Sequence, residues 1–495
     1  MSTQPELGIS PAIQKLPLWL ALFPVFLLMI MLGASVYYFS DDSSYGGNQI
    51  ALLIAAAVAA LIGVRLGHKW ADIEQGIISG IANAMIAVLI LLVVGSLIGS
   101  WMLAGTVQSL IYYGLMLISA EWFYAAACLV CGIAAMSIGS SWTVAGTLGV
   151  AFMGMAMAMQ LDPAIAAGAV ISGAYFGDKL SPLSDTTNLA SAVTGTPLFL
   201  HIQNLLWTTV PSFIIALILF FFMGGESTLA STHSIAETMQ GLEANFSIGL
   251  HLLIPVVFVF VMAWMKIPAL PTIFAGALVG GFFAMLFQPD AVLRFAASSG
   301  FAEGLSVVEK NLLAVWKVLF DGYSSNTGHE ALDSLLSRGG MSSMLNTVWL
   351  ILCAMAFGSV MEQVGFLQRI LASIMSSVES TTGLIVTTVF TCIGANVMTA
   401  DQYIAIVLPG RMYKLEYAKR GLAPQNLSRT LEDSATMTSP LIPWNTCGAY
   451  MAGTLGVATL SYLPYAFFNL LGPILCIGFA VTHFRIIPLE EIEAS

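Results

Sequence analysis

The chain has 495 residues, of which 58% are hydrophobic and only 9% are charged, and its formal net charge is −11 at pH 7. Soluble domains carry about 25% charged residues, so this composition and a mean hydropathy of +0.88 exclude an ordinary soluble protein and predict a membrane protein. The acidic balance gives no support for a nucleic-acid partner, and none is expected. No nucleophile stands beside a base and no metal-ligand spacing occurs, so an enzyme is not expected either.

Continuous apolar stretches of about 20 residues cross a bilayer as helices, and their continuity argues against alternating β-strands. The first stretch, at 16–39, is too long for a signal peptide and is predicted to be a retained helix. Polar residues interrupt three of the predicted segments, at 163–194, 382–410 and 424–454. The other predicted segments lie near 17–39, 48–65, 78–104, 122–139, 143–159, 199–223, 247–264, 269–288, 341–363 and 464–484.

Three further stretches do not fit a full membrane span. Segments 106–118 and 366–378 are too short, and we predict that they are interfacial or partly re-entrant. The stretch 301–320 mixes acidic and basic residues with apolar ones at helical spacing. That pattern predicts a helix lying on the membrane surface.

The two halves of the chain share landmarks in one register, which predicts an internal repeat. The offset between the members of each pair is 258 to 262 residues. The landmarks are Leu-Asp-Pro at 161–163 and Leu-Ala-Pro at 422–424, Ser-Pro-Leu at 181–183 and 439–441, Gly195 and Gly456, and Pro211 and Pro473.

Basic residues indicate that the two repeats have opposite orientation. The loop at 411–420 holds four Lys or Arg residues, whereas its counterpart at 153–162 holds none, so the positive-inside rule places the loops on opposite sides. The predicted fold is therefore an all-α polytopic helical bundle with inverted-topology repeats and broken or re-entrant helices. The predicted divisions are N-terminal membrane helices at 1–75, a first repeat at 76–224, connecting helices with an outer surface helix at 225–339, a second, inverted repeat at 340–484, and a cytoplasmic tail at 485–495.

Four polar interruptions of apolar helices form two matched pairs. Inside hydrocarbon, a backbone that leaves the helix must line a protein-enclosed cavity, where it exposes carbonyls and helix ends. Oxygen-rich breaks suit a hard cation such as Na⁺, and the shortage of soft ligands argues against a transition metal. The first pair is "SIGSSWTVAG" (137–146) with "IGANVMTADQY" (393–403), and the second is "GAYFGDKLSPLSDTTNLA" (173–190) with "EDSATMTSPLIPWNTCGAY" (432–450).

Carboxylates near the breaks are functional candidates, because an ionisable group inside a membrane is costly unless it is paired or solvated. A carboxylate that binds either Na⁺ or H⁺ would make the protein an antiporter. We expect Na⁺ and H⁺ at the same set of residues, and no cofactor. The predicted cation- and proton-binding residues are Asp178, Ser181, Asp185, Asn188, Asn396, Asp401, Asp433, Asn445 and Thr446.

Structural roles remain open for several of these residues. Asp433 lies four positions after Arg429 on a helix, so the two could form an ion pair. Asp178 could be neutralised by Lys179, and Asp185 could cap the following helix. The three asparagines could simply bond exposed backbone groups.

The stretches "SGAYFGDKLSPLSDTTNLA", "TADQYIAIVLPGRMY" and "LSRTLEDSATMTSPLIPWNTCGAYMAGTLGV" strongly resemble the NhaC family of sodium/proton antiporters. The resemblance covers about 20–484, and it implies a multi-pass bacterial inner-membrane antiporter with a broken-helix fold like that of the wider ion transporter superfamily.

Two alternatives to Na⁺/H⁺ exchange by alternating access stay open. The same family includes exchangers of organic acids of the malate/lactate type, so Na⁺- or H⁺-coupled exchange of organic anions or amino acids is one of them. A channel is the other, although paired breaks in inverted repeats favour a carrier. The expected partners are the lipid bilayer and the two ions, with a homodimer expected from base rates alone.

Overall fold

The computed structural model describes residues 16–39, 45–224, 229–301, 304–327, 330–375 and 380–489. Within these ranges the chain forms helices, and the only extended pairings are two isolated bridges. Helices are what a bilayer demands of such apolar stretches, because every backbone N–H and C=O must find a partner within its own segment. The prediction of an all-α, multi-pass membrane protein is confirmed.

The N-terminal helices lead to one long helix. Helix α3 has 34 residues and is therefore about 51 Å long, well beyond the roughly 30 Å of hydrocarbon. It begins at Trp70 rather than near 78, because its first turns carry charged residues outside the apolar stretch. The predicted division at 1–75 includes 1–15 and 40–44, which lie outside the described residues. These elements are α1 (Leu18–Phe39), α2 (Gly47–Arg65), α3 (Trp70–Leu103) and α4 (Thr106–Leu117).

The first half contains two broken segments that touch each other. Gly139 directly follows the helix Phe123–Ile138 and has φ of +74°, a left-handed conformation that glycine adopts without strain. A methyl group at Gly139 would lie 2.6 Å from Cβ of Leu183 in the second break, so close approach of the two breaks also requires glycine. The helices are α5 (Phe123–Ile138), α6 (Ser141–Ala158), α7 (Pro163–Leu180), α8 (Asp185–Thr194) and α9 (Leu198–Phe222).

The connecting region is helical as well. The surface helix expected at 301–320 is observed as α14, although 302–303 lie outside the described residues. Its apolar side chains Val308, Leu312, Trp316 and Phe320 recur every fourth residue and are exposed, as on a helix whose apolar face meets lipid. The helices are α10 (Leu229–Asn245), α11 (Ile254–Trp264), α12 (Ala269–Phe287), α13 (Pro289–Ser298), α14 (Val307–Asp321) and α15 (Glu330–Leu336).

The second half repeats the element order of the first. Two broken segments again come in succession and are followed by an apolar helix with an internal proline. This order of elements matches the order of the sequence landmarks that the two halves share. The inverted orientation of the repeats and the divisions of the chain stay predictions. The helices are α16 (Leu345–Gln363), α17 (Phe366–Met375), α18 (Thr381–Thr399), α19 (Gln402–Lys419), α20 (Pro424–Leu431, continued by a π-helical turn, Glu432–Thr436), α21 (Thr446–Leu455), α22 (Thr459–Tyr462) and α23 (Phe467–Thr482).

Length and hydropathy identify fewer spans than the thirteen expected segments. Within the described residues, nine helices are long and apolar enough to cross a membrane, or up to eleven if each of two bent pairs is one span. The segments missing from this count are 163–194 and 424–454, because their breaks leave helices that are too short or too polar.

Candidate cation site

The four breaks meet around one cavity of about 130 Å³, which we name the break cavity. Each break contributes at least one polar side chain to its wall, and helix α3 closes it on another side. Its polar lining includes Ser141, Asp178, Asp185, Asp401, Tyr403 and Thr446. Three of the four predicted site aspartates therefore share one cavity.

A helix N-terminus lies at each break, because in each broken segment the second helix begins there. Each of these helices starts with a side-chain cap that occupies one otherwise free backbone N–H. A helix N-terminus carries about +0.5 elementary charge, so four of them offset part of the charge of the carboxylates. The caps are Ser140 on Thr143 N (3.2 Å), Ser184 on Thr187 N (3.4 Å), Asp401 on Ile404 N (2.9 Å) and Asn445 on Cys447 N (3.0 Å).

Asp178 lies at the end of α7 and bonds the start of α6. Its Oδ2 accepts hydrogen bonds from the backbone N–H of Ser141 at 3.0 Å and from the Ser141 hydroxyl at 2.7 Å. Its Oδ1 has no hydrogen-bond partner, although the side chain is only 5% exposed. One oxygen therefore holds the carboxylate in place, and the other is free for a ligand.

Asp185 links the two halves of the protein. Tyr403, on α19, donates its hydroxyl to Asp185 Oδ2 at 2.5 Å. The helix cap at this break is Ser184, while Asp185 is the first residue inside α8 and bonds Thr186 N at 2.8 Å. Ser184, not Asp185, is therefore the N-cap residue, although Asp185 still bonds one N–H of the first turn, and its exposed carboxylate lines the cavity.

Asp401 and Thr446 join the two breaks of the second half. Ala400 has φ of +57°, an uncommon conformation for a residue with a Cβ, and its carbonyl accepts a hydrogen bond from Thr446 N at 2.9 Å. Asp401 follows directly and caps α19. The strained turn thus places Asp401 and Thr446 together in the wall of the break cavity.

Four of the other predicted site residues do not line the break cavity. Asn445 donates to Asn396 Oδ1 at 3.1 Å, and Asn396 donates to the Ala435 carbonyl at 2.7 Å, so this pair ties α18 to α20. Ser181 is buried and accepts a bond from Leu183 N at 3.3 Å. Asn188 is exposed and donates to the Ser184 carbonyl at 2.6 Å. Their geometry favours the role of bonding the backbone at the breaks, which the sequence left open.

Asp433 belongs to a buried ion pair away from the break cavity, and its partner is Lys179. Thr208 donates a further hydrogen bond to Asp433 Oδ1 at 3.0 Å. The pairing with Arg429 that helical spacing allowed is wrong, since Arg429 instead donates to Asn204 Oδ1 at 3.1 Å. The pairing of Asp178 with Lys179 is also wrong, because Lys179 forms its ion pair with Asp433.

Several lining residues were not singled out from the sequence. Tyr403 and Ser141 lie inside the quoted polar stretches, so a search for donors facing the aspartates would have found them. Trp142 stacks on Tyr450 with ring centroids 4.0 Å apart and thereby joins the two halves beside the cavity. Asn83 is a polar residue in the middle of apolar α3, which is itself a recognisable signal of function.

The charge balance of the break cavity favours a cation. Three ionised carboxylates contribute about −3, the four helix N-termini offset about +2 of that, and the helix C-termini that end at the same breaks add negative charge, so the net charge of the cavity is negative. Among the described residues, no three His, Cys, Asp or Glu side chains are close enough to hold one metal ion together. A Na⁺ ion here would therefore bind one or two carboxylates and complete its shell with hydroxyl or carbonyl oxygens.

Comparison with known proteins confirms the resemblance to sodium/proton antiporters. An Na⁺/H⁺ antiporter NhaC from Alkalihalophilus pseudofirmus is 40% identical over 87% of this chain and 89% of its own length. An Na⁺/H⁺ antiporter NhaC from Bacillus subtilis is 34% identical over 86% and 91%, and a malate-2H⁺/Na⁺-lactate antiporter from the same species is 34% identical over 88% and 88%. The sequence pattern of the Na⁺/H⁺ antiporter family matches residues 173–484. The chain therefore belongs to the Na⁺/H⁺ antiporter family.

Proposed function

We propose that this protein exchanges Na⁺ for H⁺ across the bacterial inner membrane by alternating access, extruding Na⁺ as protons enter. Na⁺ and H⁺ compete for the carboxylates of the break cavity. Asp178, Asp185 and Asp401 bind the ions, and Thr446 supplies a neutral oxygen. Asn396, Asn445 and Ser181 position the broken helices.

One observation carries this proposal: three carboxylates from separate elements line a single cavity, and one of them, Asp178, keeps an unpartnered oxygen. One bound Na⁺ and one bound proton each neutralise one carboxylate charge. Either ion therefore removes the cost of moving an uncompensated charge through a low-dielectric environment. An empty, charged cavity would reorient slowly, which is the condition for coupled exchange.

Alternating access requires contacts that can separate between the halves. The Asp185 to Tyr403 hydrogen bond and the stacking of Trp142 on Tyr450 both cross between the halves at the wall of the break cavity. Binding of an ion to Asp185 would compete with the Tyr403 hydroxyl. Ion occupancy would in this way change a contact between the two halves.

Organic-anion exchange is the second candidate, and the four helix N-termini favour it because such ends bind carboxylates. The malate/lactate relative supports it as well. Arg429, a buried cation that could hold a carboxylate, does not line the break cavity and bonds Asn204 and the Arg485 carbonyl. The net negative charge of the cavity therefore makes cation exchange the better-supported function.

Proton movement in proteoliposomes tests the proposal. With an imposed pH gradient and an internal pH dye, Na⁺ alone should dissipate the gradient. Where protons compete one for one, the apparent Na⁺ affinity should fall about tenfold for each unit by which the pH decreases below the pKa of the competing carboxylate, and it should level off at higher pH. A response only after malate, lactate or an amino acid is added would establish the second candidate, and single-channel currents would contradict a carrier.

The finer location and assembly are part of the same proposal. We place the protein in the inner membrane of a bacterium as a homodimer that carries out no chemical reaction on its substrates. Membrane fractionation tests the location, and light scattering of the detergent-solubilised protein tests the oligomeric state. Recovery in another membrane fraction, or the mass of a single chain, would contradict them.

A further inference from the structure

A second cavity, of about 580 Å³, lies between α3 and α16 and has no role in the function proposed so far. We name it the vestibule and define it by Asp72, Gln75, Ser79, Asn83 and Glu362. All five side chains are exposed. The vestibule is thus a polar depression that opens to the outside of the protein.

The vestibule and the break cavity share one residue, Asn83. Glu362, in the wall of the vestibule, is within electrostatic range of Asp401 in the break cavity. Helices α3 and α16 are in close contact alongside, since a methyl group at Gly80 would lie 1.7 Å from Ser359 Oγ. The position of Asn83, three residues beyond Gly80, is thereby set by tight packing.

The vestibule is predominantly acidic. Its lining within the described residues includes two carboxylates, Asp72 and Glu362, one histidine, His68, and no lysine or arginine. A cleft lined by charge of one sign focuses the field and raises the local concentration of counter-ions. The vestibule therefore attracts cations and repels anions.

The vestibule also opens on the appropriate side. Asp72 lies in the first turn of α3, three residues after Lys69 and seven after Arg65 in the chain, and the positive-inside rule predicts that these basic residues are cytoplasmic. An exchanger that extrudes Na⁺ must take it up from that side.

We propose that the vestibule is the cytoplasmic access route for the transported cation, with Glu362 as its cation-attracting residue and Asn83 as the passage into the break cavity. This inference rests on the proposed function. It adds an access route, a charge that attracts cations and a residue that connects the two cavities. A site where Na⁺ and H⁺ compete does not by itself require any of these.

Charge-selective cysteine labelling tests the route. The six native cysteines are buried, so the unchanged chain serves as the blank. Ser79→Cys places a thiol inside the vestibule, while Glu74→Cys places one on the same helix at an exposed position outside it. Each is treated with membrane-impermeant methanethiosulfonates that carry either a trimethylammonium or a sulfonate group.

We expect the cationic reagent to modify Ser79→Cys about tenfold faster than the anionic one, as electrostatic focusing predicts. Adding Glu362→Gln should remove most of that preference in Ser79→Cys and leave the ratio at Glu74→Cys unchanged. The attached trimethylammonium group should block Na⁺-driven proton flux at Ser79→Cys but not at Glu74→Cys. Gln75→Cys repeats the test if Ser79→Cys fails to fold.

The results separate this inference from the proposed function. Labelling rates are measured without any gradient, so a protein that shows no Na⁺-driven flux contradicts the proposed function while its charge preference still reports on the vestibule. Equal rates for both reagents, or full transport after complete modification at Ser79→Cys and Gln75→Cys, would overturn the access route.

Discussion

Asp178 and Lys179 are neighbours at the end of α7, yet they belong to two different polar regions. Successive residues of a helix point about 100° apart, so one side chain reaches the break cavity and the other turns into the protein. Asp178 keeps a free oxygen beside a cavity, whereas Lys179, 1% exposed, is paired with the fully buried Asp433. An intramembrane charge is thus a candidate binding site only when it has both an oxygen without a protein partner and a cavity beside it.

Removing the cation of the buried pair should have the largest effect. Lys179→Met leaves Asp433 buried without its partner, which typically costs about 3–5 kcal/mol of unfolding free energy. Equilibrium unfolding in detergent measures this cost. The double variant Lys179→Met/Asp433→Leu should recover most of it, and a single variant as stable as the unchanged protein would remove the distinction between the two regions.

Neutralising Asp178 should instead reduce transport with little loss of stability. An interaction with a charged group is worth about 1.5–3 kcal/mol, so Asp178→Asn should weaken apparent Na⁺ affinity roughly 10- to 150-fold. The control is Asp162→Asn at the other end of α7, where Asp162 caps the helix and asparagine caps equally well. Na⁺-driven proton flux measures both, and equal effects would show that the charge of Asp178 has no special role.

A smaller effect is expected from the contact between the halves. Tyr403→Phe removes the hydroxyl that bonds Asp185 and should change apparent Na⁺ affinity about two- to fivefold. Tyr413→Phe is the matched control, because Tyr413 lies on the same helix but bonds Thr391, at 2.8 Å. Na⁺ titrations of proton flux at two pH values measure both variants. A larger change of apparent Na⁺ affinity in Tyr413→Phe than in Tyr403→Phe would contradict a role for the contact between Asp185 and Tyr403.

The smallest effect should come from a predicted site residue outside the cavity. Asn188→Ala removes hydrogen bonds to the Pro182 and Ser184 carbonyls at an exposed position. Surface substitutions usually change free energies by less than about 0.5 kcal/mol, so Na⁺ affinity should shift less than about twofold. A tenfold loss of Na⁺ affinity in the same flux assay would return Asn188 to the binding site.

The sequence was sufficient for the membrane class, the breaks and the three cavity aspartates. Apolar stretches must become helices in a bilayer, and polar groups there must gather around protein-lined space. Asp178, Asp185 and Asp401 could be identified because each lies at such a break, within motifs that resemble those of a transporter family. Thr446 followed from the same reasoning, since it begins the helix after the fourth break.

Only the tertiary structure distinguished the candidate ion ligands from the polar residues that bond other groups of the protein. Helical spacing made Arg429 a natural partner for Asp433, but the observed cation comes from Lys179, 254 residues away in the chain. Asn396 and Asn445 were candidate ligands by composition, and they bond each other instead.

The sequence alone therefore determined which residues are too polar for lipid, because that cost depends on composition within one helix. The tertiary structure determined which of them face open space and which face one another, because that depends on how distant segments pack. Asn83 shows the difference most directly: its polarity is visible in the sequence, but its position between two cavities arises only when α3 packs against α16.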